Sequence, residues 1–253
     1  MTSLLRSFVN INSRISRLID KALLPTFFIK DGNRFFYESF ITEYMVKNIT
    51  VYDIGGGKRP FLSRSEKEDK NIKLIGFDID QEELSKAPEG IYDKTICADI
   101  CNYKGEGDAD LVVCQALLEH VKSLEFALSG IKSILKPGGR AVIFVPSRNA
   151  VFARLNLLLP ESFKKKILVS IYPQAKDIQG FPAYYDHCTP NGFQKIAIEK
   201  LGFEIEKASY HYMSAYFTFF FPLHLLWRVW ILLFYMIAKE EAAETFSLTL
   251  RKV

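Results

Sequence analysis

From residue 50 to residue 146 the chain alternates short apolar runs with stretches of helical periodicity, and this alternation limits the fold more than any other feature. It predicts strands at 50–54, 73–78, 94–98, 110–114 and 140–145. Such an alternation is typical of a parallel sheet covered by helices on both faces. Two later segments, 203–212 and 244–252, alternate apolar and polar residues and predict an antiparallel hairpin at the sheet edge. The predicted fold class is therefore α/β, with a mostly parallel seven-stranded sheet.

Helices are predicted between these strands. The stretch 121–135 has helical periodicity and is followed at 136–139 by Lys-Pro-Gly-Gly, a strong signal for the end of a helix. Other helices are predicted to begin at Gln81 and to cover 190–201, and one at 34–48 leads into the first strand.

A glycine-rich loop at 53–57, Asp-Ile-Gly-Gly-Gly, follows the first predicted strand. Glycine lets the backbone turn sharply and lets a ligand approach without a Cβ in the way. Open α/β sheets bind ligands at the carboxyl ends of their strands. A dinucleotide fingerprint would need glycine where Pro60 stands, and a phosphate-binding P-loop would need Ser or Thr where Arg59 stands. The loop therefore matches neither pattern, and alone it is a weak signal.

Two acidic residues follow later strands in a way that suits a nucleoside. Asp78 ends the second strand, 23 residues after Gly55, and its carboxylate can accept both hydrogen bonds of a ribose diol. Asp80 competes for that role, although it lies beyond the strand end. Asp99 follows the third strand, where its oxygens can meet an adenine amino group.

Two further blocks complete the pattern: 110–120 ends in Leu-Glu-His, and 135–146 begins with Leu-Lys-Pro-Gly-Gly. In this order and spacing, from about residue 50 to 147, the blocks resemble the class I S-adenosylmethionine-dependent methyltransferase superfamily. The resemblance implies a Rossmann-like fold, methyl transfer as the activity and S-adenosylmethionine as the cofactor. The cofactor-binding residues that it implies are Asp53, Ile54, Gly55, Gly56, Gly57, Asp78, Ile79, Asp99, Ile100, Cys114 and Gln115.

The resemblance also gives these positions roles. Asp53 and the three glycines would flank the methionine end, Asp78 would hold the ribose, and Asp99 would lie beside the adenine. Cys114 and Gln115 would line the floor near the sulfonium.

The Gly-Lys-Arg-Pro tail of the loop resembles a bacterial subgroup linked to surface polysaccharide and lipid-glycan pathways. A later block with Tyr185, Thr189, Pro190 and Gly192 also matches that subgroup, whereas His187 stands where the subgroup tends to have Arg. The resemblance implies a glycan or lipid-linked methyl acceptor.

Three residues are candidates for catalysis: His187, His120 and Tyr185. An oxygen acceptor needs a base, and neutral imidazole is available near pH 7. Tyr185 would orient the substrate or the imidazole. The alternatives are a structural role for His120 at a helix start and a loop role for His187. No metal site is predicted, because Glu119 and His120 supply only two ligands.

The N-terminal segment 4–24 is predicted to be an amphipathic helix that ends at Pro25. Residues 1–34 hold six basic and two acidic side chains, which equals the whole net charge of +4. This modest excess fits an anionic membrane surface better than a nucleic acid. The helix packs either on its own domain or on a bilayer.

The segment 215–238 is almost wholly apolar. Three interpretations are open: a membrane-interface element, a buried core or dimer interface, and a transmembrane helix. Pro222 divides the run, and the remaining 223–238 would be about 24 Å long as a helix, short of a hydrocarbon core of about 30 Å. A re-entrant or surface-lying hairpin is therefore expected, with Trp227, Trp230 and Tyr235 at the headgroups and Arg228 reaching outward to them.

We divide the chain into N-terminal helices at 1–48 and a methyltransferase domain at 49–253. Within that domain, 147–189 is expected to form a cap with helices at 151–159 and 163–171, and 213–239 the apolar hairpin.

The expected function is O-methylation of an amphiphilic or glycan acceptor at the membrane surface. No secretory signal is visible, so the expected location is cytoplasmic, on the inner face of the cell membrane. The alternatives are a non-catalytic membrane scaffold and a soluble small-molecule methyltransferase with an apolar dimer interface; the oligomeric state stays open.

Overall fold

The computed structural model describes residues 3–160 and 182–253. Seven strands form one sheet in the order β3-β2-β1-β4-β5-β7-β6. The strands are β1 Thr50–Ile54, β2 Lys73–Asp78, β3 Lys94–Cys97, β4 Ala109–Gln115, β5 Leu135–Pro146, β6 Phe203–His211 and β7 Thr245–Lys252. Strands β1 to β5 are parallel, and β7 runs antiparallel between β5 and β6. The predicted mostly parallel sheet with a late antiparallel hairpin is confirmed.

Strand β5 begins five residues earlier than expected. Ala109 pairs with Leu135 and Leu111 with Arg140, so the Lys-Pro-Gly-Gly block at 136–139 is a bulge at the start of the strand. Gly138 has a φ of +76°, which side chains rarely adopt and which glycine provides without strain.

Helices cover the sheet and connect its strands. The α-helices are α1 Ser3–Leu23, α2 Thr26–Ile29, α3 Gly32–Phe35, α4 Arg64–Asp69, α5 Gln81–Ser85, α6 Leu124–Ile134, α7 Val151–Leu158, α8 Pro190–Lys195 and α9 Phe221–Ala238. Several of these helices have an N-cap residue whose side chain accepts a backbone hydrogen bond: Ser63 for α4, Asp80 for α5, Ser123 for α6 and Thr189 for α8. Such caps satisfy backbone N–H groups that the first helical turn leaves without partners.

The predicted helix at 34–48 is replaced by shorter turns. A π-helical turn at Phe36–Phe40 and a 3₁₀ turn at Thr42–Tyr44 follow α3. Phe36 and Phe40 are fully buried and belong to the same apolar cluster as Val51 and Val142. Burial against the sheet decides this conformation, so the second half of the N-terminal segment is part of the domain core.

The apolar segment at 215–238 is a turn followed by the single helix α9. Pro222 lies in the first turn of α9, where a missing N–H costs nothing, so it begins the helix instead of dividing it. The expected hairpin is therefore wrong. The stretch Phe221–Ala242 is long and apolar enough to cross a membrane by length and composition. However, His211 of β6 pairs with Thr245 of β7, so one sheet edge holds both ends of the segment.

Arg228 points into the protein, contrary to expectation. Its guanidinium donates to both Asp20 carboxylate oxygens, at 2.9 and 2.7 Å, and to the Phe28 and Tyr212 carbonyls. His224 lies 3.0 Å from the same carboxylate. A buried guanidinium needs such partners because its charge is costly to desolvate. We call Asp20, His224 and Arg228 the helix clamp, since they join α1 to α9.

Trp227 is also buried, and its indole N–H donates to Glu244 at 3.1 Å. It therefore does not lie at the headgroup level, whereas Trp230 is about half exposed. In the expected cap, α7 confirms the first helix, and the second, at 163–171, lies outside the described residues.

Candidate active site

The glycine loop after β1 has a shape that side chains would prevent. Gly55 and Gly57 have φ values of +80° and +48°. A Cβ on Gly55 would lie 2.3 Å from the Leu117 side chain, and one on Gly56 would lie 2.2 Å from Asp53 Oδ2. These contacts are too short for any real side chain, so the prediction of a tight turn at 55–57 is confirmed. Ile54, just before the turn, is buried in the core and offers a ligand only its backbone.

Asp53 anchors this loop from the end of β1. Its Oδ2 accepts from the Tyr92 hydroxyl at 3.0 Å and from the Phe61 backbone N–H at 3.2 Å. Burial raises the pKa of Asp53 to about 7, although both hydrogen bonds act in the opposite direction. The same Tyr92 hydroxyl also donates to the Gly57 carbonyl at 3.3 Å. Tyr92 was not predicted from the sequence, because no motif surrounds it.

Helix capping distinguishes Asp78 from Asp80. Asp80 Oδ1 accepts from the backbone N–H groups of Glu82 and Glu83 as the N-cap of α5. Asp78 faces the glycine loop instead, since a Cβ on Gly57 would lie 3.1 Å from Asp78 Oδ2. Partial burial raises the pKa of Asp78. Asp78 is therefore the better placed ribose acceptor.

The residues after β2 and β3 offer a ligand both apolar and polar contacts. Ile79 is 58% exposed and is available for apolar contact. Asp99 forms a local turn, in which its oxygens accept from the Cys101 backbone and the Asn102 side chain. The Ile100 side chain is buried in the core, so only its backbone can meet a ligand.

At the end of β4 the N-terminal segment reaches the site. Cys114 is fully buried, and burial raises the pKa of its thiol. The Gln115 amide donates to Asn33 Oδ1 at 2.6 Å. Tyr37 is near enough to Asp53 that burial and then this carboxyl raise the pKa of its hydroxyl. Asn33 and Tyr37 therefore border the site, and sequence analysis missed both because they precede every recognised motif.

Glu119 is a buried acid beside this floor. It lies in the 3₁₀ turn Leu118–His120, and burial raises its pKa to about 8. Within residues 3–160 and 182–253, its Oε2 has no hydrogen-bond partner. The charges of the Glu119 and Asp53 carboxyls both raise the pKa of the Cys114 thiol. Two buried acids thus flank the end of β4, and the described residues give neither an ion pair with Lys or Arg.

His120 has a defined proton arrangement. Its Nδ1 lies 3.0 Å from the Pro182 carbonyl oxygen, which can only accept a hydrogen bond. Nδ1 therefore carries the proton in the neutral ring, and Nε2 is the nitrogen that can take a proton. Nε2 lies 3.7 Å from Glu119 Oε1.

Tyr185 and His187 occupy different surroundings. The backbone N–H groups of Tyr184 and Tyr185 donate to the Glu119 carbonyl at 2.8 and 3.0 Å, and the Tyr185 side chain is buried. The His187 side chain is 56% exposed, and its Nε2 lies 3.8 Å from Asp186 Oδ1. The structure brings Tyr185 to the site, while His187 lies at the surface.

The Thr-Pro-x-Gly block has a local explanation. Thr189 caps α8 by accepting from the Gly192 N–H at 3.1 Å, and Pro190 occupies the first turn. A Cβ on Gly192 would lie 2.9 Å from Thr189 Oγ1. The block therefore begins a helix.

Among the described residues, no three His, Cys, Asp or Glu side chains cluster in a way that would hold a metal ion.

The family of the chain follows from its sequence match over most of its length. Residues 13–207 match the model of a family described as methyltransferase domain. The chain belongs to this methyltransferase family. The family membership confirms the expected resemblance at the level of the superfamily and the expected enzyme class.

Solved structures similar to this methyltransferase confirm the fold. A SAM-dependent methyltransferase from Archaeoglobus fulgidus has a TM-score of 0.51 and 18% identity, over 87% of this chain and 92% of that one. Phosphoethanolamine N-methyltransferase 2 from Haemonchus contortus, in complex with S-adenosyl-L-methionine, has a TM-score of 0.53 and 18% identity, over 95% of this chain and 57% of that one. Geranyl diphosphate C-methyltransferase from Streptomyces coelicolor A3(2) has a TM-score of 0.50 and 11% identity, over 85% and 77%. No curated protein sequence matches the chain significantly.

Proposed function

We propose that this methyltransferase transfers the methyl group of S-adenosylmethionine to an oxygen of an amphiphilic, glycan or lipid-linked acceptor at the cytoplasmic surface of a membrane. The observation that carries the membrane part is that two adjacent helices, α1 and α9, both expose apolar faces. The glycan or lipid-linked acceptor is supported by the Gly-Lys-Arg-Pro tail of the glycine loop at 57–60.

S-adenosylmethionine is the cofactor, and the residues at the strand ends suit it. The cofactor supplies an activated methyl group on a positively charged sulfonium. Asp53 and Glu119 are buried near Cys114, and within the described residues neither pairs with Lys or Arg; a positive ligand would favour their ionised forms. Asp78 accepts hydrogen bonds from ribose hydroxyls, and the glycine loop leaves room at 55–57.

On the acceptor side, His120 is the better placed base. The Pro182 carbonyl fixes its Nδ1 proton, so Nε2 can take the proton of an acceptor hydroxyl. His187 is exposed and takes at most a role in contacting substrate. The protein otherwise aligns the acceptor with the methyl group and excludes water. Tyr185 contributes to this by covering one side of the Glu119 turn.

The apolar faces support a membrane location. Helix α1 buries polar residues against α9: Ser16 and Asp20 face inward, and Asn12 accepts from the Phe221 N–H. The apolar stripe of α1 faces outward with Leu4, Leu5, Phe8, Ile11, Ile15, Leu18 and Leu23. Helix α9 adds Leu225, Leu226, Val229, Trp230, Leu233, Met236 and Ile237. Large exposed apolar patches mark interaction surfaces, and an amphipathic helix with basic residues suits a bilayer interface.

Cofactor binding is tested by calorimetry with S-adenosylmethionine. Asp78→Ala should weaken the affinity about 100-fold, because two hydrogen bonds to a charged acceptor are lost. Asp80→Ala is the matched control and should weaken α5 without a comparable loss of affinity. Equal losses in both variants would contradict the ribose assignment.

Membrane contact is tested by flotation with phosphatidylcholine vesicles. Leu226→Glu should reduce binding about tenfold or more, since it places a charge in the apolar face. Phe126→Glu, at a similarly exposed apolar residue on α6, should not. A wild-type protein that stays unbound and sediments as a dimer would indicate a soluble enzyme with an apolar interface.

Methyl transfer is tested directly with acceptors presented in vesicles. Cofactor binding without methyl transfer would indicate a scaffold.

A further inference from the structure

A basic groove lies between α1 and the turn that precedes α9. Its volume is about 650 Å³, within the range of small-ligand pockets. One face of α1 forms the first wall with Ser13, Arg14, Arg17 and Lys21, and the opposite wall includes Thr218 and Phe219. We call this the leader groove. Its lining residues include none of the residues assigned to the cofactor site.

The three cations of the leader groove have no acidic partner among the described residues. Arg14, Arg17 and Lys21 form no ion pair within the described part of the chain. Asp20 is the only acid in α1, and the helix clamp already occupies it. The Ser13 hydroxyl lies among the lining side chains, whereas the Thr218 hydroxyl donates to the Ala215 carbonyl at 2.9 Å. The groove therefore offers positive charge and the Ser13 hydroxyl to an anion.

The surroundings of the leader groove identify the source of that anion. Leu18 lines the groove and is 58% exposed, and it belongs to the outward apolar stripe of α1. An anion bound here would thus lie beside apolar surface, as a lipid phosphate does. Arginine suits phosphate oxygens because its planar group can donate two parallel hydrogen bonds.

We propose that the leader groove binds the phosphate of an anionic membrane lipid and so orients the enzyme on the bilayer. This inference rests on the proposed membrane contact and does not depend on the methyl acceptor. The apolar faces give binding to any bilayer, whereas the groove gives a preference for anionic lipid. The two can therefore fail separately.

The experiment compares binding to phosphatidylcholine vesicles with and without phosphatidylglycerol. Wild-type protein should bind the anionic vesicles more tightly than the neutral ones. In Arg17→Gln this increase in affinity should be about fivefold smaller. Arg6→Gln is the matched control: it removes the same charge from an exposed position of the same helix that does not line the groove. It should lose less than about twofold. Arg17→Lys keeps the charge but not the paired hydrogen bonds, and should give an intermediate loss.

Three results would overturn the proposal. Equal losses in Arg17→Gln and Arg6→Gln would indicate a general attraction between the helix and the surface. Absence of any preference for phosphatidylglycerol, with neutral vesicles still bound, would leave the apolar contact standing and remove the headgroup site. Loss of the preference on adding inorganic phosphate, with ionic strength matched by chloride, would show that the groove takes a free anion. Unchanged binding to neutral vesicles in every variant confirms that the variants are folded.

Discussion

The helix clamp and the ends of strands β1 and β4 both bury carboxyl groups, but the pKa values of these groups shift in opposite directions. In the clamp, burial alone would raise the pKa of Asp20, but hydrogen bonds from His224 and Arg228 bring it below its ordinary value. At the strand ends, burial raises the pKa of Asp53 to about 7 and that of Glu119 to about 8. The first arrangement pairs a buried carboxylate with a cation, whereas in the second, burial favours the protonated acids and no Lys or Arg among the described residues pairs with them.

The pairing of a buried acid bears on its role, but burial also raises the pKa of Glu244, which accepts from Trp227 beside the clamp, so pairing alone does not identify a ligand site. A buried acid that is fully paired stabilises one arrangement of helices and leaves nothing for a ligand. A buried acid without a cation is costly, and perturbed acids of this kind concentrate at functional sites. The strand ends are therefore where we propose that the cationic cofactor binds, and the clamp holds the α1 helix in position.

The largest effect is expected from breaking the clamp. Arg228→Met leaves Asp20 buried with only His224, and should lower the free energy of unfolding by about 3–5 kcal/mol. Arg251→Met is the matched control, because its contact with Glu204 is long, at 3.4 Å, and exposed; it should cost less than about 1 kcal/mol. Urea denaturation followed by circular dichroism gives both values. Equal costs would show that the clamp is no more than a surface ion pair.

A pH-dependent effect is expected at Glu119; for each pH unit it is smaller than the loss expected from breaking the clamp, and its pH dependence is opposite to that of Asp20. Its folded pKa of about 8 lies above its ordinary value of 4.5, so the folded state holds this proton more tightly. The stability from Glu119 is fully present below pH 4.5 and is lost as pH rises toward 8, by at most about 1.4 kcal/mol for each pH unit. Asp20, with a lowered pKa, contributes stability above its ordinary value of 3.8 and loses it as pH falls.

Glu119→Gln should therefore flatten the fall in stability between pH 5 and 8, and the difference between wild type and variant isolates this group from Asp53 and Glu244. Denaturation at a series of pH values gives the two curves. Parallel curves would mean that Glu119 is ionised and compensated in the folded protein, and the contrast with the clamp would disappear.

Much of the cofactor edge could be predicted because local chemistry specifies it. Gly55 and Gly57 after a strand allow positive φ values, and that freedom is visible in the residue types alone. The bounds of β1 and β2 agree with the predicted strands for the same reason. The choice of Asp78 over Asp80 needed the structure, since N-capping depends on where α5 begins.

The features that could not be predicted depend on contacts between residues far apart in the chain. Arg228 in an apolar run was expected to reach outward, but its partner Asp20 lies 208 residues away. The same holds for Asn33, whose contact with Gln115 spans 82 residues. Hydrophobic periodicity shows which residues share a face, not which face meets which partner. For α1 it gave the stripe correctly, while only the structure showed that the polar side packs inward.

The smallest effect is expected at Tyr92, which sharpens the comparison at the cofactor edge. Tyr92→Phe removes the hydroxyl that donates to Asp53 at 3.0 Å and keeps the ring that packs on Gly76. One hydrogen bond of about 1 kcal/mol corresponds to about fivefold weaker binding of S-adenosylmethionine by calorimetry. Tyr52→Phe is the matched control, since its hydroxyl donates to Asp108 at 2.9 Å, away from the loop; it should change stability and not affinity. If Tyr92→Phe binds as tightly as wild type, the glycines alone hold the loop, and the buried Asp53 acts through its charge instead of through its hydrogen bonds.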